Sequence, residues 1–247
     1  MSNRAMPAAM FAFATLLAIG PVSNGFASEL DDIVARIDYG FYTGDPRMIQ
    51  AARDELGRTG SDGGAHAYYE AYAAYRLSRL DRSARPRERR ALIRACLEAG
   101  RASTQTDEWD AEAWILVAAC SIQGIAQEPS RSLGHEARLN EALAAARELD
   151  ADNPRLLLVE SWYRQDDVSI EEARERRREL LERAREEFDV RANEEGPDWG
   201  RAELLASLGK IHLELGERRD ARDLIEQALI EAPDYYFALE LRKALSL

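Results

Sequence analysis

Residues 201–233 read RAELLASLGKIHLELGERRDARDLIEQALIEAP, two apolar stripes at helical spacing on either side of one glycine. Leu204, Leu205, Leu208, Ile211 and Leu215 recur at helical intervals, so one face of a helix over 201–215 is apolar. Gly216 stops that helix as a left-handed cap residue would. Residues 217–231 carry Ala221, Leu224, Ile225, Ala228 and Leu229 on a second stripe, and so short a connection leaves room only for an antiparallel hairpin. Gly209 and Ala221 are small residues on the facing sides, which lets the two backbones approach closely. Pro233 is expected to open a further helix, because its missing N–H has no partner at a first-turn position.

Outward from this hairpin the chain reads as helices and breakers, with almost no strand signal. Helices are expected over 30–42, 46–56, 65–80, 87–103, 110–123, 135–149, 154–165, 170–193 and 233–245, about 11 in all with the hairpin. Residues 57–64, 81–87 and 194–200 read as loops, and 124–134 as an extended connection. Residues 1–27 hold one charge, Arg4, an apolar run over 5–19, a Gly20-Pro21 breaker and then Gly25-Phe26-Ala27. That is the layout of a secretory signal peptide cleaved after Ala27. Its apolar run falls short of the about 20 residues a membrane span needs, and no cysteine follows it to carry a bacterial lipid. The expected organisation is a signal peptide over 1–27 and one helical domain over 28–247, periplasmic or secreted, without stable membrane insertion after cleavage.

The spacing of Leu205, Leu208, Gly209, His212, Ala221, Ile225, Ala228 and Pro233 resembles one tetratricopeptide repeat, W-x₂-L-G-x₂-Y, then A-x₃-F, then P, over about 34 residues. Leu205, His212 and Ile225 stand where Trp, Tyr and Phe are usual, while Leu208, Gly209, Ala221 and Pro233 match outright. The best-defined repeat spans 202–235, and weaker copies begin near 65, 111 and 154. The resemblance implies an all-α solenoid of antiparallel helix pairs wound as a right-handed superhelix. It also implies a peptide or protein partner bound along a concave groove lined by the first helix of each repeat. The residues expected in that groove are His66, Tyr69, Ala73, Glu112, Ile115, Ala119, Glu203, Ala206 and Lys210. The family's clamp for C-terminal carboxylates uses Lys, Arg and Asn there, whereas this chain offers Glu203, Ala206 and Ser207 with Lys210 alone basic. The cluster Tyr68, Tyr69, Tyr72 and Tyr75 covers more than one helix face, so part of it belongs to the core.

Charge bounds the partners further. The chain of 247 residues carries a net charge of −12, and losing Arg4 with the leader leaves 32 basic against 45 acidic side chains, or −13. So negative a surface argues against nucleic acid or anionic lipid as a general electrostatic partner. The run Arg176-Arg177-Arg178 is the one temptation toward an anion site. Yet Glu172 with Arg176 and Glu179 with Arg183 have the spacing of pairs on one helix face, so a solvated face is expected, over a buried stripe of Ala173, Leu180, Leu181, Ala184 and Phe188. The three histidines, His66, His135 and His212, form no HExxH and pair with no cysteine at ligand spacing. His212 is expected to pack between its two helices and His135 to begin one. No catalytic, cofactor-binding or metal-ligating residues are therefore expected, and no cofactor.

Two cysteines in an exported chain suggest one disulfide. With a helix turn near Asp107, Cys96 lies 11 residues before it and Cys120 lies 13 after, at nearly the same height on adjacent helices. A Cys96–Cys120 bond is expected, and two buried thiols acting as small apolar residues are the other reading. The function expected is an exported, non-catalytic scaffold or adaptor for a peptide or protein segment. The alternative is a periplasmic small-ligand-binding or transport accessory protein with a tunnel between repeats.

Overall fold

The computed structural model describes residues 25–59, 63–80, 85–106, 110–163, 169–192, 194 and 196–245, with side chains from residue 29 onward. The leader expected over 1–27 lies outside the described residues except for the backbone of its last three positions. Among the described residues there are eleven α-helices and no strand. They are α1 (Gly25–Thr43), α2 (Pro46–Thr59), α3 (Gly64–Leu80), α4 (Pro86–Ser103), α5 (Asp110–Gln127), α6 (Ser132–Leu149), α7 (Pro154–Trp162), α8 (Ile170–Val190), α9 (Arg201–Leu215), α10 (Arg218–Glu231) and α11 (Tyr236–Leu245). Five antiparallel pairs, from α1/α2 to α9/α10, stack into a tetratricopeptide-like all-α solenoid, with α11 at its end. None of these helices is long and apolar enough to cross a membrane.

The hairpin that the opening stretch encodes forms as its spacing requires. Gly216 has φ +81°, and the N–H groups of Gly216 and Glu217 donate back to Leu213 and His212 to close α9. A Cβ on Gly209 would sit 2.8 Å from Cγ1 of Ile225 and 3.3 Å from the carbonyl of Ala221, so only glycine lets α10 lie this close to α9. Upstream, Asn153 caps α7 through its side chain, and Ser169 with Glu172 forms a capping box at α8.

Four local expectations are corrected. Residues 124–134 are not extended: α5 runs through Gly124 to Gln127, a single 3₁₀ turn follows at Pro129–Arg131, and α6 starts at Ser132. Gly124 survives inside a helix because the ring of His135 lies against it, in the space a Cβ would need. His135 therefore sits buried within α6, with Nε2 3.5 Å from Glu128, rather than opening the helix. Pro233 does not open α11 but forms a turn that swings Tyr235 inward, leaving Tyr235 2% exposed. His212 lies in the last turn of α9, largely covered, and its Nδ1 meets Glu217, the residue that precedes α10, at 2.5 Å. On α8, Arg178 pairs with Glu175 and Arg183 with Asp152, while Glu172 is taken up by the cap.

The stack then bends back on itself. The first helices α1, α3, α5 and α7 touch in sequence, α9 packs on α8, and α11 touches both α9 and α1. The superhelix is thus wound tightly enough that its two ends meet: Phe41 of α1 lies 6.2 Å from Tyr235, centroid to centroid. One covalent tie supports the stack. Cys96 of α4 and Cys120 of α5, each 1% exposed, are paired as a disulfide with Cα atoms 6.1 Å apart. A bridge across a separation of 24 residues contributes about 3 kcal/mol by the chain-entropy relation. Alkylation of the unreduced native protein is expected to add no label, with reduction lowering the melting temperature; two labelled thiols would exclude the bond.

Candidate functional site

The concave side of the solenoid is filled, and its occupant is a buried ionic and aromatic cluster. Tyr68, Tyr72 and Arg76 follow one another at i, i+4 and i+8 on the inner face of α3. Arg76 has no exposed surface, and it donates to Glu203 of α9 and, at 2.5 Å, to the hydroxyl of Tyr72. Its guanidinium lies 3.9 Å above the Phe41 ring and 4.7 Å from that of Tyr72, so the charge is enclosed by π-faces as well as acceptors. From α1, Tyr42 donates to the other oxygen of Glu203 at 2.9 Å, and Asp38 stands 3.9 Å from Arg76 while accepting from Tyr72.

The two carboxylates of this cluster are driven apart by their surroundings. Burial pushes Glu203 up, but Arg76, Arg79 and the hydrogen bonds from Arg76 and Tyr42 outweigh it and hold the carboxyl below its usual range. At Asp38 burial wins over Arg76 and the Tyr72 hydrogen bond, and the pKa rises to about 7. Burial also pushes Tyr42, Tyr68 and Tyr72 well above the ordinary phenol value, so these rings remain hydrogen-bond donors.

A second buried ion pair plugs the same side. The segment 196–200 reads GPDWG, and Trp199, 2% exposed, donates its indole N–H to the Tyr68 hydroxyl at 2.6 Å. Arg155 at the start of α7 clamps this segment, donating from Nε to the Trp199 carbonyl at 2.8 Å and from its terminal nitrogens to the Pro197 carbonyl and to Glu112. Asn153 also donates to Glu112, at 2.9 Å. Gly200, with φ +110°, makes the turn from plug into α9, and a Cβ there would press on Phe188 and Leu158 at 3.1 and 3.2 Å.

The residues expected to line an open groove meet this filling instead. Ala73, Ile115, Ala119 and Ala206 have no exposed area, and Tyr69, Glu112 and Glu203 retain 8%, 7% and 2%. His66 and Lys210 alone among the nine are half-buried, and Lys210 is engaged with Glu214. Glu203 meets Arg76 and Tyr42, and Glu112 meets Arg155 and Asn153, where the tight winding brings α1, α9 and the Trp199 plug together. Tyr68, Tyr69, Tyr72 and Tyr75 are all buried. The sequence reading missed Arg76, Trp199, Asp38 and Tyr42; the i, i+4, i+8 placement of Arg76 behind two tyrosines was the available sign.

The open clefts include one of about 430 Å³ lined by α6, α7, α8 and α9, one of about 580 Å³ between α4 and α6, and a smaller one of about 260 Å³ beside Asn153 and Arg191. For a metal, His212, Glu217 and Asp220 at the α9–α10 turn are the one group among the described residues whose ligand atoms converge within 4.8 Å, and both carboxylates are exposed.

The class of fold has a solved counterpart. A thermophilic tetratricopeptide-repeat protein of Thermus thermophilus superposes with a TM-score of 0.57 at 17% identity, over 90% of this chain and 99% of that one. No protein-family model matches the chain. No curated protein matches it either.

Two outcomes follow from the central cluster. Arg76→Met leaves Glu203 buried without its partner and should cost about 3–5 kcal/mol in chemical denaturation, of which a large part returns in Arg76→Met/Glu203→Gln. Asp38 has a folded pKa raised to about 7, above its unfolded value, so its stabilising contribution is complete below about pH 4 and is lost as pH rises through 7. Asp38→Asn should therefore match the parent near pH 4 and exceed it in stability at pH 8, read from urea midpoints at the two pH values.

Proposed function

We propose that the chain is an exported, non-catalytic scaffold for a protein partner, and that the partner docks on the outer helices rather than along the concave axis. The tetratricopeptide-like fold supports protein binding in general. The observation that carries the outer location is the α4–α6 cleft. Arg90, Arg94 and Arg101 of α4 face Arg131 and Arg138 across it, with Glu98 and Glu128 as the carboxylates in its lining. Ile93 and Leu97 line it, and Leu133 stands 80% exposed at its side. In a chain of net charge −12, a cleft with five arginines around an apolar floor selects an acidic segment that also carries an apolar residue. The partner's identity is set by that chemistry and not by the family's concave mode, since the inner positions are buried.

The leader over 1–27 supports the exported half of this reading. Both halves are tested together by crosslinking and affinity capture from the native envelope fraction. The captured chain is expected to begin at Ser28, to crosslink through α4 and α6, and to lose its partner in Arg90→Glu/Arg94→Glu. A partner retained by that variant, or crosslinks confined to other helices, would overturn the docking surface. An uncleaved cytoplasmic chain would overturn export.

A further inference from the structure

The cleft between α6, α7, α8 and α9 contains a cation, Arg177, that no described residue holds in an ion pair. Its volume is about 430 Å³, within the range of small-molecule sites. One wall is apolar and aromatic: Leu143, Trp162, Tyr163, Ile170, Leu180 and Ile211. Of the arginines that line it, Arg147 pairs with Glu160 at 2.6 Å, and Arg174 reaches Glu214 at 3.9 Å. Glu214 is also held by Lys210. Arg177 has no carboxylate within ion-pair distance among the described residues, and its Nε is buried without a hydrogen-bond partner.

Arg177 is partly buried, and its Nε is cut off from water without a hydrogen-bond partner, an unmet donor that a ligand's acceptor would satisfy. Arg177 is the middle residue of the Arg176-Arg177-Arg178 run and lines the cleft from α8. Burial pulls its guanidinium below the ordinary arginine range, with Glu214 opposing. The apolar wall disfavours an inorganic anion as occupant, because such an ion would have to shed its hydration water against Trp162, Leu180 and Ile211.

We infer that this cleft binds a small amphipathic anion, its carboxylate or similar acidic group on Arg177 and its apolar body against Trp162, Tyr163 and Ile170. The site is separate from the α4–α6 docking surface and does not depend on the scaffold reading. Trp162 is fixed from behind by Tyr75, with rings 6.4 Å apart, and by Arg79, 5.1 Å above it.

The test is isothermal titration of the full mature chain with 4-phenylbutyrate, its neutral amide and inorganic phosphate. The carboxylate is expected to bind at least tenfold more tightly than the amide and than phosphate. Arg177→Met should abolish the preference for carboxylate over amide while leaving the melting temperature of the ligand-free protein unchanged or higher, because it removes an unmet donor. Asn140→Asp, an exposed change that adds a negative charge to the cleft wall, should weaken the carboxylate at least fivefold and decides the matter if Arg177→Met does not fold. Equal affinity for carboxylate and amide would overturn the inference, as would phosphate binding as tightly as the carboxylate. A melting temperature lowered by several degrees in Arg177→Met would do the same, since it would make Arg177 a structural residue.

Discussion

Arg76 carries a charge that water cannot reach, and the rest of the architecture is arranged around that fact. An ion of this size costs several kcal/mol to bury even after relaxation, and the cost is met only by close acceptors of opposite charge. Its acceptor, Glu203, lies 127 residues further along, on α9. Pairing the two requires that α3 and α9 face each other across the superhelix axis, which forces the winding that also brings α11 onto α1. Tyr42, Tyr72 and Asp38 complete the acceptor and donor shell from α1 and α3. The concave surface that an open solenoid would offer is thereby consumed as core. Arg155 and Glu112 repeat the solution one repeat away, and their product is the seated Trp199 plug.

Much of the fold was legible because it is local. Helix stripes, the left-handed Gly216 and the close approach at Gly209 depend on residues within one hairpin, and periodicity reports them directly. The errors also have local causes with non-local solutions. Gly124 reads as a breaker until His135 is seen lying against it, and Pro233 reads as a helix start until Tyr235 is seen drawn to Phe41. The candidate site was less legible. The register turns Glu112 and Glu203 toward the axis, but nothing within a single repeat says how tightly successive repeats will wind. Whether an inward residue meets solvent or Arg76 is decided by that winding, a property of pairs more than 100 residues apart.

Two of the open clefts are rich in arginine, the α4–α6 cleft with five and the α6–α9 cleft, lined by first and second helices alike, with Arg177 outside any ion pair. On a chain this acidic, both stand out by sign from the rest of the surface. They differ in form: one is flanked by an exposed leucine and suits a chain segment, the other has one apolar, aromatic wall facing a charged one and suits a small molecule.

The filled axis has a direct reporter in the Trp199 indole, one of four tryptophans in the chain. Hydrogen exchange of the indole N–H groups, followed by NMR, should show Trp199 protected as strongly as core backbone amides, with exchange only through opening of the α3–α9 contact. Exchange of that proton at the rate of a free indole would mean that the concave side is open to water and that the Arg76–Glu203 closure does not hold in solution.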